Sequence, residues 1–155
     1  MRLPQLRSFQ RTHIVFLTAG TATRIPLLAA DSAHAILRDA WLESATRHGW
    51  LVGQYVLMPE HLHLFACPAR QAGPLADWLE HWQFRAAERI NRAANWNRAL
   101  WAPGPDTRYL RCSADYERLA EAIGSNPVRR GLVNQADAWP YCGTLWDLQP
   151  GFATS

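Results

Sequence analysis

The 155-residue chain contains no lysine: all sixteen of its basic residues are arginine. Every phosphate or base contact made by a cation therefore falls to the planar, bidentate guanidinium, which also stacks on aromatic rings. Cysteine is scarce. Cys67, Cys112 and Cys142 are odd in number, far apart and form no CxxC pair, which excludes a disulfide framework and a structural zinc site and fits reduced thiols in a cytosol. No apolar run approaches the ~18 residues of a membrane helix. Met1 to Thr12 has no hydrophobic core of the secretory type, so a soluble cytoplasmic protein with no membrane partner is expected. Internal repeats, low-complexity segments and linkers are missing, so 1–155 reads as one domain, with a core over about 10–131 and an aromatic tail over about 132–155. The sequence has no Gly-rich phosphate loop, GxSxG elbow or HExxH helix.

Hydrophobic residues make up 48% and charged residues 19%, which excludes a disordered chain and leaves room for a real core. A formal charge of +3, a pI near 9.1 and eight tryptophans point to a polyanion partner, although the arginine usage is equally what codon bias produces.

His13 to Thr18 is a β-branched and aromatic run that reads as a strand. Asp31 is placed to cap a helix carrying Ala33, Ile36, Leu37, Ala40, Trp41 and Ala45 at helical period, and Gly49 stands where its C-terminus should be. Trp50 to Met58 and His61 to Cys67 read as two strands joined by a Pro59-Glu60 turn. A second helix runs from about Pro74 to Ala94. A short strand follows near Tyr109 to Cys112, then a third helix from Ser113 to about Gly124. Strand, helix, strand, strand, helix, strand, helix is the split βαβ order of an α+β sandwich. It implies an antiparallel sheet with helices packed on one face and a site on the other. The tail from Leu132 is expected to cross the domain as irregular structure.

Two features carry chemistry. Strand alternation sets His61, His63 and Phe65 on one face and Leu62, Leu64 and Ala66 on the other. With the leucines buried, both imidazoles face the open side, where two such histidines can share one metal ion or stay exposed and hydrogen-bonded. The second feature is on the long helix, where Arg85, Arg89 and Arg92 follow Trp78 and Trp82, with Arg98, Arg108 and Arg111 soon after. Guanidinium groups interleaved with indoles are what a single-stranded nucleic-acid groove uses; a solvated helix face over partly buried tryptophans gives the same pattern. His13, His34, His48 and His81 are isolated and read as packing or surface residues.

At these residues the chain resembles a known family. Tyr55-Val56-Leu57-Met58-Pro59-Glu60-His61-Leu62-His63-Leu64 is similar to the MP-x-H-hydrophobic-H signature of single-tyrosine HUH transposases, and more closely of the bacterial REP-associated tyrosine transposases. The likeness continues through Arg89-Ile90-Asn91, Leu100-Trp101, Leu110-Arg111, Asn126-Pro127-Val128-Arg129 and Gly131-Leu132-Val133 to Trp139-Pro140-Tyr141, over roughly residues 10–143. The resemblance implies a ferredoxin-like HUH fold. It also implies that His61 and His63 hold Mg²⁺ or Mn²⁺, and that a tyrosine on the last helix attacks single-stranded DNA to leave a 5′-phosphotyrosine link and a free 3′-OH. A polar residue one turn beyond that tyrosine completes the metal site. The implied partner is a DNA hairpin, an imperfect REP-like palindromic repeat with a short single strand beside it. A monomer is favoured over a swapped dimer.

The likeness fails at its centre. Where the family reads E-Y-I-x-x-N-P-V-R, this chain reads Glu121-Ala122-Ile123-Gly124-Ser125-Asn126-Pro127-Val128-Arg129. Ala122 stands at the nucleophile's position and has no oxygen with which to form the covalent link; Asn126 is retained as the candidate third ligand. Tyr116 lies six residues, about 600° of helical rotation, before position 122 and fits a core role. Gln83-Phe84 and Pro105-Asp106-Thr107 also replace family segments. DNA contacts are expected from Arg85, Arg89, Arg92, Arg108 and Arg111, with stacking on Trp78 or Trp82. The expected function is that of a transposase-like binder of hairpins in single-stranded DNA, impaired in the DNA cleavage and rejoining of transposition. The alternatives are a non-enzymatic hairpin-binding module and a hydrolase using metal-bound water.

Overall fold

The computed structural model describes residues 14–148; the segments 1–13 and 149–155, with His13 and the Met1 to Thr12 stretch, lie outside the described residues. Five strands, β1 (Val15–Gly20), β2 (Trp50–Leu57), β3 (His61–Pro68), β4 (Asp106–Tyr109) and β5 (Cys142–Thr144), form one sheet in the order β4-β1-β3-β2-β5. Every neighbouring pair is antiparallel. Three α-helices, α1 (Asp31–His48), α2 (Leu75–Ala94) and α3 (Ser113–Arg129), connect them. The first four strands lie in the 4-1-3-2 order of the ferredoxin-like split βαβ sandwich expected from the sequence.

Alternation divides the sheet into two faces. Val15, Leu17, Leu62 and Leu64 point to one side and bury against α1 and α2 around Trp41, Trp78 and Trp82. Indole burial at this scale dominates core energetics. The rings meet at centroid separations of 5.7 Å for Trp41–Trp82 and 5.9 Å for Trp78–Trp82, and the Trp78 indole N–H donates to Ser44 Oγ at 2.9 Å. Phe65 and Cys67 point to the other side and pack with Ile123, Tyr116 and Leu119 of α3. The helical layer expected on one face is thus made by α1 and α2. The face expected to lie open is partly covered by α3.

Four boundaries differ from the sequence reading. The strand expected at Tyr109 to Cys112 is β4, three residues earlier, because its backbone pairs with Val15–Thr18 of β1. All four of its side chains are exposed, so no hydrophobic alternation marks it. The third helix continues past Gly124 to Arg129 through Pro127. Pro127 removes one helical hydrogen bond, yet Ile123 and Pro127 are both buried, so packing overrides the weak local propensity. The residues preceding α1 and α3 in N-cap position are Ala30 and Cys112, not Asp31 and Ser113, and neither makes a side-chain cap bond. The aromatic tail does cross the domain, but it adds β5 beside β2, and Trp139 donates its indole N–H to the Leu57 carbonyl at 3.0 Å. Gly49 ends α1 at φ 75, the left-handed conformation expected of it.

Candidate metal site and nucleic-acid interface

β3 carries His61 and His63 on the face shared with α3, as alternation requires. Their rings stand edge to face with centroids 4.9 Å apart. Phe16 of β1 stacks on His63 at 5.4 Å and 13°. Thr18, register partner of His63, brings its Oγ1 to 2.8 Å from His63 Nδ1. In the tautomer that donates Nδ1–H to Thr18, His63 Nε2 keeps its lone pair. Glu60 does the corresponding job for His61, its Oε1 lying 3.1 Å from Nδ1. A ligating imidazole is typically oriented this way, by a partner on its other nitrogen.

Electrostatics favour a neutral ring at His63. Burial, then the neighbouring His61 and Arg129, push His63 down to about 4. Burial alone would raise the Glu60 carboxyl, but the Arg130 guanidinium and the His61 ring outweigh it and hold the group below the usual carboxylate range. Arg130 Nη1 donates to Glu60 Oε1 at 2.8 Å, tying the turn before β3 to the end of α3. Among the described residues, no group of three or more His, Cys, Asp and Glu converges as a metal cluster. A third protein ligand at this pair would have to come from another residue type.

α3 brings Ala122 and Asn126 to adjacent turns. Arg129 folds back along the helix, and its Nη2 donates to the Ala122 carbonyl oxygen at 2.8 Å. The same guanidinium is one of the charges acting on His63, so this stretch of α3 borders the histidine pair.

The predicted DNA contacts separate into two groups. Trp78 and Trp82 have 0% exposure and cannot stack on a base; they are core residues, and the expectation of stacking there is overturned. Arg85 and Arg89 lie on the opposite side of the sheet from the histidines, paired with Glu43 of α1 at 3.4 and 3.6 Å. Arg92 is in the last turn of the same helix. Arg108 and Arg111 are exposed at the β4 edge, and Arg108 is the register partner of Phe16, on the histidine side.

No family model matches the sequence. A REP-associated tyrosine transposase of Escherichia coli K12 is 25% identical over 120 residues, 76% of this chain and 68% of that protein. A solved REP-associated tyrosine transposase bound to a REP hairpin matches with a TM-score of 0.66 at 22% identity, covering 85% of this chain and 76% of that one. The chain is similar to the REP-associated tyrosine transposases in sequence and fold. A solved chain from Deinococcus radiodurans assigned as a transposase shares the fold at a TM-score of 0.55 and 20% identity, over 72% of this chain and 88% of its own.

The similarity to tyrosine transposases draws attention to the other nucleophile candidates named from the sequence. Tyr116 packs on Phe65 at 4.5 Å, the core role its helical position gives it. Tyr141 donates its hydroxyl to Asp31 Oδ1 at 3.1 Å, on α1. Burial pushes the Cys67 thiol up to about 12, which leaves no thiolate for attack. His34, His48 and His81 are less isolated than expected: His34 Nε2 is 2.6 Å from the Tyr55 hydroxyl, and the His48 and His81 rings are 4.7 Å apart. The sequence reading missed Thr18, Glu60, Arg129 and Arg130. Glu60 adjoins the histidines and Arg129 lies within the quoted family segment, so proximity to the motifs was a usable signal for both. Thr18 becomes a site residue only through strand register, and Arg130 only through packing of α3.

No helix among the described residues is long and apolar enough to cross a membrane.

Proposed function

We propose that the protein binds hairpins of palindromic repeats in single-stranded DNA, as a transposase relative that retains an HUH-type metal site but lacks the nucleophile of strand transfer. The observation that carries this reading is the pairing of His61 and His63, each with an oriented Nδ1, beside a helix that offers only a methyl group at position 122. His61 and His63, with Asn126, would hold Mg²⁺ or Mn²⁺. Two imidazole ligands fit Mn²⁺ better than Mg²⁺, which prefers oxygen ligands. When bound, the ion supplies Lewis-acid polarisation of a phosphate. Thr18 and Glu60 fix the two imidazole rings. Arg129 and Arg130 add positive charge beside them, and Arg108 extends it along the same side of the sheet to attract the DNA backbone. Ala122 can neither attack a phosphate nor carry an adduct, so binding without covalent transfer is the expected behaviour.

Support for a hairpin partner comes from the solved relative described as bound to a REP hairpin. The test is a mobility-shift titration with hairpins taken from palindromic repeats beside the gene, against a blunt duplex of equal length and charge. Preference for the hairpin is expected. Equal affinity for the two would remove the reading.

A further inference from the structure

We infer that His48, the last residue of α1, and His81, in the second turn of α2, bind a Zn²⁺-like transition-metal ion that clasps the two helices together. The site is separate from the His61–His63 pair: α1 and α2 cover the opposite face of the sheet.

The course of the chain fixes where the two histidines stand. α1 ends at His48, the β2–β3 hairpin follows, and the chain returns to begin α2 at Leu75. On its return the Gly73 N–H donates to the His48 carbonyl oxygen at 2.9 Å. Gly49 lies so close to Ala72 that a Cβ at this glycine would come within 2.9 Å of the Ala72 Cα. The end of one helix is thus tied by backbone to the approach of the next, and the His48 and His81 rings meet with centroids 4.7 Å apart. Ligands held by the fold before the ion arrives lose little freedom when it binds.

Three properties suit the pair to a metal ion. His81 Nε2 is shielded from water and has no hydrogen-bond partner among the described residues. A ring nitrogen denied both is costly to the fold, and coordination removes the cost. Burial first, then His48 and Arg47, hold the His81 pKa below its ordinary value against a smaller pull from Glu43, so the ring offers a lone pair at neutral pH. Finally, a groove of about 500 Å³ beside the rings is lined by His48, Asp77, Glu80, His81 and Phe84. Its charged side chains are the two carboxylates, which draw a cation. The nearby Arg85 is turned to Glu43 at 3.4 Å.

Imidazole nitrogens select Zn²⁺, Cu²⁺ or Ni²⁺ over Mg²⁺ and Ca²⁺. Among the described residues no third His, Cys, Asp or Glu converges with the two rings. Asp77, exposed and one turn before His81 on the same face of α2, can swing in as the third ligand, and water takes the remaining position of a tetrahedral ion. An ion that binds only the folded chain stabilises it, here by joining the two helices that enclose Trp41, Trp78 and Trp82.

The test has two parts. Zn²⁺ is added to the unaltered, ¹⁵N-labelled protein and the imidazole nitrogens are followed by NMR. The His48 and His81 signals are expected to move together; if either stays in place with Zn²⁺ in excess, the inference falls. The second part uses the protein carrying His61→Ala and His63→Ala, so that the other pair binds nothing, and measures Zn²⁺ affinity by competition with a chromophoric chelator. Loss of a residue that merely orients a ligand costs roughly 10–100-fold in metal affinity, so adding His48→Ala or His81→Ala should weaken Zn²⁺ at least about tenfold. Zn²⁺ should also raise the urea midpoint of this protein, and the rise should vanish once His81→Ala is added. An equal rise with and without His81, or unchanged affinity, would overturn the inference.

Discussion

The Arg129 guanidinium donates to the carbonyl oxygen of Ala122, two helical turns back along α3, at 2.8 Å. In the family pattern position 122 carries the tyrosine; here the same stretch of helix presents a methyl group and a cation. The cation is close enough to bear on His63, yet it is the smallest of three causes, behind burial and His61. Arg129→Ala is therefore expected to leave His63 still far below its ordinary value in an NMR titration of the imidazole protons. A return to about 6.5 would show that charge, and not burial, governs the ring.

Trp82 separates packing from recognition. It is fully buried against Trp41, Trp78 and Trp101. Trp82→Ala is expected to cost about 3–5 kcal/mol in urea unfolding, with the hairpin affinity of the folded fraction unchanged. Lost affinity at unchanged stability would mean that the indole reaches DNA after all.

Glu60 is predicted to act on metal binding through His61. Its carboxylate holds His61 Nδ1 and receives Arg130 in the same geometry. Substitution of such a partner typically costs 10–100-fold in metal affinity. Glu60→Ala should weaken Mn²⁺ binding, read by electron paramagnetic resonance, by about that factor. Undiminished Mn²⁺ affinity would leave Glu60 as a strut between the β2–β3 turn and α3.

His34 gives the fold a pH dependence remote from the histidine pair. Its Nε2 is 2.6 Å from the Tyr55 hydroxyl, to which Arg38 also donates at 2.7 Å. Burial and then Arg38 lower its pKa, against a smaller opposing effect from Asp31. The folded chain thus holds the proton less well than the unfolded one. The stability due to the neutral ring is complete above pH ~6.5 and is lost as the pH falls below it. Between pH 7.5 and 5.5 the urea midpoint should fall further for the unaltered protein than for His34→Gln. Equal falls would assign the dependence to other groups.

The elements with a strong period were legible in the sequence. α1, α2, β2 and β3 stand within a residue or two of their expected positions because their apolar spacing is set by the faces they bury. β4 was misplaced because all four of its side chains are exposed, and β5 passed unread because it is a three-residue edge held by backbone pairing with β2. At the site, alternation was enough to put His61 and His63 on one face. It could not show that Thr18 meets His63, since that follows from the register of β1 against β3. The helical period put Trp78, Trp82, Arg85 and Arg89 along one helix but did not say which side of the sheet that helix covers. That choice sent the tryptophans into the core, while the register of β4 set Arg108 beside Phe16 on the histidine side.

The most direct test of a retained site with a missing nucleophile is a denaturing gel of the protein with Mn²⁺ and labelled hairpins, run beside Ala122→Tyr. The account predicts no covalent protein–DNA band from the unaltered chain and a band from Ala122→Tyr that disappears when His61→Ala and His63→Ala are added. A band from the unaltered chain would contradict it, because another residue would then be making the covalent link.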